Sequence, residues 1–191
     1  MSLQIIYPMS SIKNSFHRFI DLQICKSYFM IKEAAKSLGR GRVMELLYIF
    51  LLIMADQLTK LIAKINLYPD VNIDLISGYL SLTYLENRGA AFGIFKNKKF
   101  FLIGLTSIVI AFMIYYLLKN KDISKYMKIS LILIISGAIG NLIDRITKGY
   151  VVDFIHFYIK NIFDWPVFNV ADIFVVCGTI LLGAIILLSK E

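Results

Sequence analysis

Phe100–Leu118 runs for 19 residues without a formally charged side chain, Ile173–Ser189 for 17 and Ile129–Ile143 for 15. Nothing else in the sequence restricts the fold as much. A helix that crosses the hydrocarbon core of a bilayer needs about 20 mostly apolar residues. A fourth stretch, Met44–Ile65, is apolar apart from Glu45, Asp56, Lys60, Lys64 and a few uncharged polar residues. The whole chain of 191 residues is 58% hydrophobic and 18% charged, whereas soluble domains lie near half and about a quarter. A soluble domain of this size would bury only about 70% of its surface, so water cannot cover so apolar a chain. Disordered, collagen-like and ordinary soluble classes are excluded. The expected fold is an all-α membrane protein with four transmembrane helices, near 44–65, 100–118, 126–145 and 168–189.

Basic residues set the expected orientation. The net charge is +8. In a membrane protein such a balance reports topology before it reports nucleic acid, and no nucleic-acid partner is implied. Residues 1–42 hold Lys13, Arg18, Lys26, Lys32, Lys36, Arg40 and Arg42 against Asp21 and Glu33. The loop after the second span holds Lys119, Lys121, Lys125 and Lys128 against Asp122. The positive-inside rule places both in the cytoplasm, and four spans then return the C-terminus, with Lys190, to the same side. The loops 66–99 and 146–167 face outward in this topology, although Lys96, Lys98 and Lys99 count against it.

Residues 1–43 read as an N-terminal cytoplasmic extension before a membrane domain at 44–191. They lack the basic start, uncharged apolar run and small-residue cleavage site of a secretory signal peptide. The stretch 12–36 mixes Ile12, Phe16, Phe19, Ile20 and Ile24 with basic residues, a composition a membrane-surface helix also has. Cys25 and Cys177 are too few for a disulfide framework, and Cys177, inside an apolar span, reads as packing. Within the first outer loop, Tyr79–Glu86 alternates in the period of a strand, between the turn signals Ser77-Gly78 and Asn87-Arg88-Gly89. A small extracytoplasmic β-containing loop domain lying on the outer membrane surface is therefore expected.

Ionisable residues inside spans are costly and by default mark a functional site. Asp56 and Lys60 stand four apart on one face of the first span, in its outward half. Asn141, Asp144 and Arg145 share a face near the outer end of the third. Asp153 follows in the second outer loop, Asn169 and Asp172 begin the fourth span, and Asn87 and Arg88 lie in the first outer loop. All fall at one depth, the outer leaflet, where scattered structural pairs would not. No Ser/His/Asp set exists, the two histidines being His17 and His156. One histidine beside Asp153 is a weak zinc site, and no metal or cofactor is expected. What the sequence supplies is aspartate. Two adjacent carboxylates cannot both ionise cheaply, so one keeps a proton. The ionised one can draw a proton from water while the neutral one donates to a carbonyl, the chemistry of aspartic peptide hydrolysis. A proton-coupled transporter or channel is the alternative, since intramembrane carboxylates also build relays. Against it, these carboxylates cluster at one leaflet and no internal repeat is visible.

The segments Asp56-Gln-Leu-Thr-Lys60, Asn87-Arg-Gly-Ala-Ala-Phe-Gly93, Gly137-Ala-Ile-Gly-Asn-Leu-Ile-Asp-Arg145, Val151-Val-Asp-Phe154 and Phe168-Asn-Val-Ala-Asp172 resemble, in order, the motifs of the bacterial lipoprotein signal peptidases (signal peptidase II). The resemblance covers about 44–189. It implies a multi-pass aspartic endopeptidase of the bacterial cytoplasmic membrane, with both termini cytoplasmic and the active site near the extracytoplasmic face. It also implies a prolipoprotein substrate whose cysteine already carries diacylglycerol, cut just before that cysteine, contact with membrane lipid, and inhibition by globomycin. The residues alone do not choose among Asp56, Asp144, Asp153 and Asp172. The resemblance assigns catalysis to Asp153 and Asp172. It makes Asn141 and Arg145 contacts to substrate or inhibitor, and Asn169 the group that orients Asp172. Asp144 becomes a support for Arg145 or a neighbouring helix, Asp56 and Lys60 a brace for the first helix, and Asn87 a brace for the outer loop.

Overall fold

A computed structural model describes Lys26 and residues 39–89, 95, 98–120, 122–160 and 162–188. His17, Cys25 and all of the 12–36 stretch except Lys26 lie outside the described residues, as do Lys96, Lys121, Lys190 and residues 90–93 of the second motif. The chain divides at Met44. Before that point the described residues include Gly39, whose carbonyl accepts from Arg42 N at 3.2 Å and Val43 N at 3.3 Å as a helix opens.

Among the described residues, four helices are long and apolar enough to cross a membrane. They are α1 (Arg40–Leu67), α2 (Lys99–Lys119), α3 (Lys125–Thr147) and α4 (Val170–Leu188). Each runs a few residues to either side of its expected span or stops just inside it. Burial is inverted relative to a soluble protein. Phe100, Ile108 and Phe112 on α2 are exposed, while Asp56, Lys60, Asp144 and Asn169 are inaccessible. A face of that kind is stable against lipid and untenable in water.

Helix α3 is central. Ile49 of α1, Leu117 of α2 and Leu131, Ile132 and Ile135 of α3 form one buried cluster. Against α4 the approach is closer, because α3 presents Gly137 and α4 presents Gly178, while Gly140 of α3 faces Asp56 of α1. A Cβ at Gly140 would lie 2.5 Å from Asp56 Oδ2, and one at Gly137 would collide with the Ala171 carbonyl. Small residues are what allow helices to meet at this distance in a membrane, where apolar side chains gain little by leaving lipid. Ser124 caps the start of α3, accepting from Met127 N at 3.2 Å. Gly149, at φ +88°, ends it, and its N–H returns to the Asp144 carbonyl at 3.3 Å.

The two loops expected to face outward build one sheet. Strands β1 (Asn72–Ile76), β2 (Leu80–Asn87), β3 (Val151–Ile159) and β4 (Phe163–Asp164) lie antiparallel in the order β1-β2-β3-β4. The strand expected at 79–86 is β2. Asp153, placed by the sequence in the second outer loop, sits on β3, in register with Leu85. β2 takes two residues, Thr83 and Tyr84, where β3 takes one, Phe154, between Leu82↔Ile155 and Leu85↔Asp153. This bulge turns the end of β2, with Asn87, toward the start of β3. Ala63 and Leu67 of α1 pack with Phe154, and Leu82, Tyr84, Ile155 and Val170 close around them, fixing the sheet to the helix ends.

Candidate active site

Asp153 and Asp172 are 19 positions apart in sequence and meet because the segment before α4 is sewn to β3. Phe154 N and Ile155 N donate to the Phe168 carbonyl at 3.0 and 2.8 Å, and Phe168 N donates back to the Ile155 carbonyl at 2.9 Å. Asn169 is thereby set beside Asp153 and at the head of α4. Asn169 and Asp172 then cap each other. Asp172 N donates to Asn169 Oδ1 at 3.0 Å, and Asn169 N donates to Asp172 Oδ2 at 3.1 Å. This is the reciprocal arrangement of a capping box, built here with an amide and an aspartate.

Three asparagines hold the two carboxylates. Asn169 Nδ2 donates to Asp153 Oδ1 at 2.6 Å, and Asn87 Nδ2 donates to Asp153 Oδ2 at 2.9 Å. Asn141 Nδ2 donates to Asp172 Oδ1 at 2.8 Å. Asp153 is 1% exposed. Burial, and then the neighbouring Asp172 charge, push its carboxyl up to about 7, against the lowering effect of the Asn87 and Asn169 hydrogen bonds. A carboxyl with that pKa holds a proton where an ordinary aspartate has none.

Lys60 is the centre of the supporting network. Its Nζ lies 2.9 Å from Asp56 Oδ2 and 3.1 Å from Asp144 Oδ2, all three side chains inaccessible. It also donates to Asn141 Oδ1 at 2.8 Å, which leaves the Asn141 amide nitrogen directed at Asp172. Asp56 Oδ1 accepts from Ala171 N at 3.0 Å, so helix α1 also satisfies a free N–H at the head of α4. Asp144 accepts from Lys148 Nζ at 2.7 Å and from Val152 N at 3.2 Å, next to Asp153. The neighbouring helix and β3 are thus its partners, where Arg145 had been the other expectation. Arg145 reaches the Gly89 carbonyl at 3.0 Å, and Gly89 N is held by Asn87 Oδ1 at 2.9 Å.

Nine of the ten polar residues singled out in the sequence fall into one connected network, and the tenth, Arg88, pairs instead with Glu86 at 3.2 Å. Two were missed. Gln57 donates to Asp56 Oδ2, the Gly140 carbonyl and Asp144 Oδ1 at 3.1, 3.2 and 3.4 Å, bridging α1 and α3. Lys148 supplies the second cation of Asp144. Gln57 stands inside the Asp56–Lys60 motif and carried a signal; Lys148, four residues after Asp144, carried one in its i,i+4 spacing.

A cavity of about 1090 Å³ opens over the pair. Asn87, Asn141, Arg145, Asp153 and Asp172 line its polar part, and Ile173, Val175 and Val176 continue it along α4. No cluster of metal-ligating side chains is present among the described residues. The buried Asp153 and the partly buried Asp172 at the head of α4, with an adjoining cavity, are a candidate catalytic site.

The comparisons with known proteins name the family. The model of the signal peptidase (SPase) II family matches residues 48–188. The lipoprotein signal peptidase of Clostridium tetani is 54% identical over 148 residues, covering 78% of this chain and 94% of the relative. That of Clostridium novyi is 46% identical over 144 residues, 75% and 97%. Among solved structures, a bacterial membrane enzyme determined by the in meso method at 2.3 Å aligns with TM-score 0.69 and 34% identity over 77% of this chain and 88% of that one. A second, determined at 1.9 Å, aligns with TM-score 0.66 and 32% identity over 78% and 94%. The chain belongs to the signal peptidase II family and is a multi-pass membrane peptidase. The transporter or channel alternative has no support.

Proposed function

We propose that this enzyme removes the signal peptide from diacylglyceryl-modified prolipoproteins by cutting before the lipidated cysteine, with Asp153 and Asp172 as its catalytic pair. The observation that carries the assignment is the shared clamp. One residue, Asn169, bonds both carboxylates, and the Asp153 carboxyl, pushed up to about 7, keeps a proton available to the pair near neutral pH. Asp172 takes a proton from the attacking water as its oxygen bonds to the scissile carbonyl carbon. Asp153 gives its proton to the carbonyl oxygen. As the tetrahedral intermediate collapses, the C–N bond breaks and a proton passes from the pair to the leaving amine, which becomes the new N-terminus. The two carboxyls titrate as one unit throughout.

In this reading the sheet and the cavity lie at the extracytoplasmic face of the cytoplasmic membrane and both termini are cytoplasmic. The charge of residues 119–128 and of the first 42 residues supports that orientation. Residues 1–43 are an extension outside the peptidase domain. Asn141 and Arg145 lie on the cavity wall, where substrate backbone or globomycin would contact them, and the apolar part along α4 suits membrane lipid or the substrate's acyl chains. The test is in cells. Asp153→Asn or Asp172→Asn should insert normally and accumulate lipid-modified, uncut precursor, as globomycin should with the unaltered enzyme. Normal processing by either variant would remove that residue from catalysis, and inhibition by chelators would point to a metallopeptidase.

A further inference from the structure

The cavity over the aspartates has two unlike ends. One descends along α4 past Val175, Val176 and Cys177. The other leaves the helices and reaches His156 and Asp164 on the sheet, with Trp165 just beyond β4. There His156 Nε2 lies 2.6 Å from Asp164 Oδ1, and both residues line the cavity. Beyond it lies a second cavity of about 380 Å³, which shares His156 and Asp164 with the first and is otherwise lined by Tyr158, Lys160 and Phe163 among others. The His156 ring is stacked on Tyr158 with centroids 5.0 Å apart. The Asp164 side chain is 79% exposed, so one carboxylate oxygen is tied to His156 while the group as a whole remains open to a further donor. Asp164 also belongs to β4, the edge strand of the sheet, and an edge offers backbone groups to a new strand.

We propose that His156 and Asp164 form a subsite for the first residues of the mature lipoprotein, taking that segment as an extended peptide along the β4 edge. The inference rests on Asp153 and Asp172 being the cleavage pair. Polarity sets the direction. The signal peptide and the acyl chains need the apolar end along α4, and the water-soluble mature chain needs the polar end. Distance sets the register. His156 lies three positions after Asp153 on β3, about 10 Å at 3.3 Å per residue. An extended substrate therefore reaches Asp164 about three residues past the cut, where a backbone N–H can donate to the exposed carboxylate.

The test couples an enzyme substitution to substrate length. Two diacylglyceryl-modified substrates are compared, one ending one residue after the lipidated cysteine and one extending about ten residues beyond it, enough to pass the subsite at that rise per residue. The unaltered enzyme should favour the long substrate in kcat/KM, chiefly through KM. Asp164→Ala should reduce that preference by about tenfold, the worth of one hydrogen bond to a charged group, and His156→Ala should reduce it similarly. A length preference that is absent in the unaltered enzyme, or present and unchanged in Asp164→Ala, would overturn the proposal. Since the measured quantity is a ratio within each variant, partial loss of folded protein does not alter it, and the surface position of Asp164 covers the case in which His156→Ala fails to fold. Asp153→Asn is measured alongside. Cleavage by that variant would sink the catalytic pair, whatever the length dependence.

Discussion

Asn169 donates its side-chain amide to Asp153 Oδ1 at 2.6 Å. Its carbonyl oxygen meanwhile caps Asp172 N at 3.0 Å. One residue thus fixes the geometry between a strand carboxylate and a helix carboxylate, and its two roles are separable. Asn169→Ala removes both, and cleavage should fall by about 100-fold or more, since bonds to charged groups are worth about 1.5–3 kcal/mol each. Asn169→Ser keeps an oxygen that can cap α4 but cannot reach Asp153. It should recover about 1 kcal/mol of stability relative to Ala and little activity. Thermal unfolding in detergent and initial rates distinguish the two effects. A fully active serine variant would contradict the clamp.

The Asp153 carboxyl, pushed up to about 7, makes both rate and stability depend on pH. An unfolded aspartate titrates near 3.9, so between about pH 4 and 7 the folded protein keeps a proton that the unfolded chain releases. By linkage, Asp153's contribution to stability falls as pH rises through that window and levels off above it. Asp153→Asn should abolish that component. Cleavage should decline as pH rises through about 7, when the donor proton is lost. A rate that stays flat from neutrality to pH 9 would contradict the proton assignment.

Lys60 is buried between Asp56 and Asp144. Removing one member of such a group strands charge in a low-dielectric interior and costs about 3–5 kcal/mol. Lys60→Met should therefore lower the unfolding temperature sharply. Adding Asp56→Asn should restore part of the loss, because Asp144 retains Lys148. A double variant less stable than the single one would contradict the stranded-charge account.

Close approach of α3 to the Asp56 carboxylate requires Gly140. Gly140→Ala places a methyl 2.5 Å from Asp56 Oδ2 and should cost about 1–3 kcal/mol as overpacking. Gly183, on α4, has nothing within 4 Å of the added carbon, and Gly183→Ala should be neutral or slightly stabilising. Equal effects at the two positions, read from unfolding temperatures, would argue against tight packing at the site.

The four helices were legible because lipid imposes a uniform demand. Long uncharged runs such as Phe100–Leu118 have no other economical fold. The polar cluster was legible for the converse reason, since Asp56, Lys60, Asp144 and Asp172 have no place in lipid unless they meet. The sheet was only half legible. Leu80, Leu82 and Tyr84 alternate with polar partners, but Val151-Val152-Asp153-Phe154 is buried throughout and shows no alternation to read. The choice of Asp153 and Asp172 over Asp56 and Asp144 was also beyond the residues alone. The proposed choice rests on which carboxylates line the cavity and which face Lys60, an arrangement tied to the Phe168–Ile155 pairing, a long-range contact with no local signal.

The most direct measurement is cleavage of a purified diacylglyceryl-modified prolipoprotein by the purified enzyme and by Asp172→Asn, with folding of both verified by thermal unfolding. The unaltered enzyme should release the signal peptide just before the lipidated cysteine. The folded Asp172→Asn variant should be slower by about 1,000-fold or more, having lost the base that activates water. Cleavage by Asp172→Asn at a rate near that of the unaltered enzyme would contradict the central claim.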